Sequence, residues 1–124
     1  MTPTYDAHQQ TAQTQITFAG DVPVTASAIQ ATQERVKVSC FLVQRAVWTA
    51  HKPSSLALNT VTVVVQGMAL DDDGDKVVSG YGGAELTVAT SKRFDWAALT
   101  ADSAWNRYDA VLLAPDYAPF HTYG

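Results

Sequence analysis

Residues Asn59–Ser91 read NTVTVVVQGMALDDDGDKVVSGYGGAELTVATS, and the pattern in this stretch decides the fold. Val61, Val63 and Val65 fall on one side of an extended chain, with Thr60, Thr62 and Gln66 on the other and Val64 as the exception. Period-two alternation built from β-branched residues marks a half-buried strand. Beyond Asp71-Asp72-Asp73-Gly74-Asp75 the alternation resumes, with Ala84, Leu86 and Val88 set against Glu85, Thr87 and Ala89. Two such runs joined by an Asp-Gly turn predict a long β-hairpin. Gly80, Gly82 and Gly83 interrupt the second arm, where the missing side chains predict a bulge or bend.

Upstream, 28–50 supports two readings. As a helix, it places Ile29, Val36, Cys40, Val43, Val47 and Ala50 on one stripe, flanked by Phe41 and Trp48. Ser27 and Gln30 have the spacing of a capping box, and Lys52-Pro53 supplies a stop. As a strand, Val36, Val38, Cys40 and Leu42 alternate with Arg35, Lys37 and Ser39. The helical reading explains both ends and more residues. The fold class expected is therefore α+β, one long helix packed on an antiparallel sheet of about four strands. An all-β sandwich or barrel is the alternative if Val36–Val43 is a strand. The order of helix then hairpin resembles, in architecture, the cystatin-like and nuclear-transport-factor-like cone folds, with no motif shared.

The remaining segments are shorter. Residues 1–15 are rich in Gln and Thr and predict a flexible N-terminal lead, leaving 16–124 as a single globular domain. Gln15–Ala19 predicts a short strand, and Pro23 keeps Val22 extended. Asp95 is placed to begin a turn over 96–99. Thr100 or Asp102 is placed to cap a short helix that puts Trp105 and Tyr108 on one face. Val111-Leu112-Leu113 predicts a last strand.

Composition narrows the function classes. The 124 residues carry a net charge of −4, and their eight basic residues are dispersed, which argues against a nucleic-acid partner. A single cysteine, Cys40, permits no internal disulfide, and its apolar neighbours predict a buried, inert thiol. No stretch reaches the ~18 apolar residues of a membrane span. Residues 2–15 lack the basic and apolar regions of a signal peptide. A native Met1 implies a cytoplasmic or virion-associated protein. Removal of an N-terminal anchor would instead imply an extracytoplasmic one.

Chemistry-bearing patterns are weak. Asp71, Asp73 and Asp75 occupy positions one, three and five of a calcium-type loop. Lys76 then stands where Gly is required, and Gly82 where Glu is required, so a solvated turn is expected. His8, His51 and His121 lack metal-ligand spacing. Asp109 beside Tyr108 is the best-placed pair for proton chemistry, although Asp at helix caps is ordinary. No phosphate loop or nucleophile elbow is present. These features leave no cofactor, no metal and no assigned catalytic residue, with the enzyme question leaning towards no.

The aromatic residues remain. Tyr81, Trp96, Trp105, Tyr108, Tyr117 and Phe120 are the candidate interaction surface, with core packing as their ordinary use. The function expected is a non-catalytic protein–protein interaction or assembly module: a small subunit, virion component or inhibitor. Its partner would be another protein or a second copy. The alternative is a small-ligand-binding or enzymatic cone-type domain.

Overall fold

The computed structural model describes residues 2–6, 11–50 and 59–118. The elements run β1 (Thr2–Asp6), β2 (Thr11–Thr17), α1 (Ala26–Ala50), β3 (Thr60–Leu70), β4 (Lys76–Thr87), α2 (Val88–Ser91), α3 (Ala101–Trp105) and β5 (Ala110–Leu113). One long helix and one sheet make an α+β fold, as the sequence predicts. The strand order is β1-β2-β3-β4-β5, the same as the order along the chain.

Every neighbouring pair is antiparallel except β2 and β3, which run parallel with Thr11 opposite Thr60 and Thr17 opposite Gln66. The parallel pair was not foreseen. It follows from α1 lying between the two strands, since a crossover helix returns the chain in the same direction. The sheet also begins earlier than expected. Strands β1 and β2 fall largely within the stretch read as a flexible lead, and β2 covers Thr11–Thr17 where 15–19 was predicted. Only Ile16 on the inward side of β2 is a large apolar residue, so hydrophobicity gives a weak period-two signal there.

The helix is α-helical throughout 26–50, which disposes of the strand reading of Val36–Val43. Its start differs from the capping box predicted at Ser27. The Thr25 hydroxyl accepts the Ala28 N–H at 3.1 Å, so Thr25 provides the side-chain cap. The predicted stop at Lys52-Pro53 lies outside the described residues. The buried stripe is also rotated from the one predicted. Ile29, Val36 and Cys40 are buried as expected, joined by Thr32, Phe41 and Gln44, whereas Ala50 is exposed.

This stripe packs on one face of the sheet, against Val61, Val63 and Val65 of β3 and Ala84 and Leu86 of β4. Buried and half-buried residues alternate without a break along β3. Each fully buried valine contributes roughly 1.5–3 kcal/mol relative to exposure. Gln44 is polar yet fully buried. Its Nε2 donates to the carbonyls of Val61 at 2.9 Å and Ala84 at 3.2 Å, and its Oε1 accepts from Trp48 Nε1 at 2.9 Å. These three bonds remove the desolvation penalty of an unpaired amide.

The glycines of β4 mark a bulge, as the sequence implies. Val65 opposes Gly82 while Gln66 opposes Gly80, leaving Tyr81 as the extra residue. A Cβ on Gly82 would lie 2.5 Å from the Leu112 carbonyl oxygen and 3.0 Å from Val36 Cγ1. Gly82 therefore lets both β5 and α1 approach closely. The Tyr81 ring lies across Gly67, where a Cβ would sit 2.5 Å from the ring carbons.

Strand β4 ends at Thr87, earlier than the alternation through Val88 suggests. There the Thr87 side chain caps α2 and the chain turns away from the sheet. Thr100, one of the two predicted caps, forms a reciprocal capping box with Ser103 on α3.

Candidate interaction surface

The aromatic residues singled out in the sequence are brought together, chiefly inside the protein. Tyr81, Trp105, Tyr108 and Tyr117 are buried core residues, Trp96 is half-buried, and Phe120 lies outside the described residues. They form two clusters. Tyr81 packs on Tyr117 with ring centroids 4.3 Å apart and meets Phe18 edge-on at 6.0 Å. The Arg35 guanidinium covers the other side of this group, 4.1 Å from the Phe18 centroid. The second cluster runs from Phe41 through Trp96 and Phe94 to Tyr108 and Trp105. Packing is thus the observed use of these rings.

Burial dominates their titration. It pushes the Tyr117 phenol up to about 12, with Tyr81 adding to the effect. Burial, and then the neighbouring Cys40, raises Tyr108 as well. The hydroxyls of Tyr108 and Tyr117 are both buried, and neither has a hydrogen-bond partner among the described residues. Cys40 is fully buried, and burial pushes its thiol up to about 12, which keeps it un-ionised and inert as expected.

The Tyr108–Asp109 pair does not converge on a common point. Asp109 is exposed, and its two carboxylate oxygens accept from the Thr87 N–H at 2.6 Å and the Thr90 hydroxyl at 2.7 Å. Slight burial raises the Asp109 carboxyl, but these hydrogen bonds outweigh it and hold the group below its ordinary value. Asp109 thereby ties the start of β5 to the end of β4 and the first turn of α2. Its role is structural, and the three histidines lie outside the described residues.

The acidic tip is a hydrogen-bonded turn. Asp71 Oδ1 accepts the N–H groups of Asp73 and Asp75, both at 2.9 Å. Carboxylate oxygens of Asp71, Asp73 and Asp75 come within 4.8 Å of one another, but Asp73 and Asp75 are exposed. Asp71 serves the backbone, as an Asx turn does. Lys76, at the start of β4, reaches Asp21 at 2.9 Å and anchors the tip to the segment before α1.

The surface that distinguishes the molecule is the sheet face away from α1. Strand register places Gln15, Val64, Gly83 and Leu112 in one row across it, and Gln13, Thr62, Glu85 and Ala110 in the next. Towards the hairpin tip the face continues through Gln66, with Thr17 beside it, to the pair Met68 and Val78. Leu112 is 70% exposed and Val78 57% exposed. Between β3, β4 and β5 a groove of about 240 Å³ runs over Gly83, bordered by Thr62, Val64, Glu85, Ala110 and Leu112. Glu85 is the only charged residue in these rows. No described helix covers this face, and no described helix is long and apolar enough to cross a membrane. Sequence reasoning identified β3, β4 and β5 but missed this surface. The row that crosses the sheet joins residues far apart in the chain, so only the register reveals it.

No protein-family model, no curated protein and no solved structure matches this chain.

Proposed function

We propose that the protein is a non-catalytic protein–protein interaction or assembly module whose working surface is the sheet face opposite α1. The observation that carries this reading is the low charge of that face, Glu85 within the rows and Lys76 at its tip end, together with the exposure of Leu112 and Val78. Interface cores are depleted in charged residues, because removing an unpaired charge from water is costly. In a row of Gln, Val, Gly and Leu no ion has to be desolvated, and only the Gln amide needs a hydrogen-bond partner in return. The groove over Gly83 offers a recess for one apolar side chain of a partner. The short β5 edge is entirely apolar, Ala-Val-Leu-Leu, with no charge or proline inside it to discourage an added strand.

The partner on this reading is a second copy or another protein presenting a face of equally low charge. The dispersal of the titratable groups supports a binding role over a catalytic one. Asp109 is committed to Thr87 and Thr90, and the Tyr108 hydroxyl is enclosed in the core.

Size-exclusion chromatography with light scattering, alongside a pull-down, tests the reading. The wild type is expected to run as more than one copy or to retain a partner, and Leu112→Lys with Val78→Lys to lose that association while remaining folded. A strictly monomeric wild type that behaves in the pull-down as the double variant does would sink it.

A further inference from the structure

At the far end of β4 from the acidic tip, a cleft of about 280 Å³ is lined by Thr90, Arg93, Phe94 and Arg107. Two arginine side chains thus border one small recess, in a chain whose twelve acidic residues outnumber its eight basic ones. Acidic partners would be easy to supply, yet neither arginine forms an ion pair among the described residues. Of the acids nearest in sequence, Asp95 is exposed and forms no ion pair with either arginine among the described residues, and two others are engaged elsewhere. Asp109 has both oxygens occupied by Thr87 and Thr90, and Asp102 lies 3.7 Å from Lys37.

The cleft is held in place by the backbone and by stacking. The turn after α2 is fixed by Arg93 N–H donating to the Thr90 carbonyl at 3.0 Å, and the turn after α3 by Arg107 N–H donating to Ala104 at 2.9 Å. Phe94 stacks on Tyr108 with centroids 5.9 Å apart and packs at a tilt against Trp96 at 4.8 Å, so its ring forms a fixed apolar wall. Thr90 uses its hydroxyl proton on Asp109, so any donors to a ligand come from the arginines.

We propose that this cleft binds a small oxyanion, a phosphate or carboxylate group, carried on a planar apolar body that rests against Phe94. A guanidinium presents paired N–H donors that match the spacing of two anionic oxygens, and two such groups around one recess favour an anion over a neutral ligand. The volume suits one ring with its anionic substituent. This site is separate from the sheet face opposite α1 and does not depend on what covers that face.

The test is an amide chemical-shift titration of the full chain at low ionic strength with phenyl phosphate, benzoate and inorganic phosphate. Phenyl phosphate or benzoate is expected to give saturable shifts centred on Arg93, Phe94 and Arg107. Whichever of the two binds more tightly assigns the anionic group. Inorganic phosphate, lacking the ring, is expected to bind more weakly. Arg93→Ala and Arg107→Ala should each weaken binding by about tenfold, and Arg93→Lys should restore only part of it. Both positions are exposed turn sites, and the unperturbed remainder of each spectrum reports that the variant is folded. Shifts that do not saturate, that spread equally to Lys37 and Lys76, or that survive both alanine substitutions would overturn the proposal. So would inorganic phosphate binding as tightly as phenyl phosphate.

Discussion

The Gln44 side-chain amide donates to the Val61 carbonyl at 2.9 Å, joining the C-terminal third of the helix to the central strand of the sheet. The same nitrogen reaches Ala84 on the neighbouring strand, and the amide oxygen takes the Trp48 indole N–H. One side chain therefore fixes both the rotation of α1 and its height above β3 and β4.

Replacing Gln44 by Leu keeps the volume but strands the indole N–H of Trp48 and removes the donor from two buried carbonyls. The expected loss is about 2–3 kcal/mol, measured as a reduced urea midpoint with unchanged slope. Gln44→Glu adds a sign test. A carboxyl buried against two carbonyls has its folded pKa raised, so the penalty is small below its unfolded pKa of about 4.3 and grows as pH rises above it. Equal destabilisation of Gln44→Glu at pH values on either side of that point would refute the buried-amide account.

The glycines of β4 make a second, internally controlled case. Gly82→Ala must push aside the Leu112 carbonyl and Val36, and displaced backbone cannot yield as a flexible side chain does. A loss of about 3 kcal/mol or failure to fold is expected. Gly80 is exposed, and a Cβ there meets nothing within 4 Å. Gly80→Ala should change thermal stability by less than about 0.5 kcal/mol. Comparable losses at the two positions would show that the bulge does not govern the approach of α1 and β5.

Asp109 gives the third. Its folded carboxyl is held below the unfolded value, so its contribution is present above the unfolded pKa of about 3.9 and is lost as pH falls through the lower folded value. Asp109→Asn should therefore cost on the order of 1 kcal/mol near neutrality, an amount reduced by exposure of the group to solvent. The gap from wild type should close as pH falls below about 3.9. Melting curves of the two proteins that stay parallel down to the lowest pH would contradict the assignment.

Much of the architecture was legible in the sequence, because alternation in β3 and the 3.6-residue stripe in α1 are direct consequences of burial on one face. The bulge at Tyr81 was legible for a similar reason, since three glycines in one strand need a packing explanation. Strand β2 was obscured because Ile16 is the one large apolar residue on its inward side, where Ala12 is small and Thr14 polar, and its outward residues are Gln and Thr. Gln44 was missed because a buried amide looks like a surface residue until its partners are located. The sheet face opposite α1 and the arginine cleft are properties of register and of turns between elements. Local patterns cannot show either one.

The coincidence of sheet order and chain order has a kinetic consequence. The β3–β4 and β4–β5 pairings close through segments near in sequence, so most of the sheet forms at a modest cost in chain entropy. The β2–β3 pairing is different, because its two strands are joined only through the whole of α1 and its flanking segments. Closure of that single crossover is where the chain gives up most of its remaining freedom. The helix is thus a tether as well as a core element, and the order in which it docks sets when the amino-terminal strands can join the sheet.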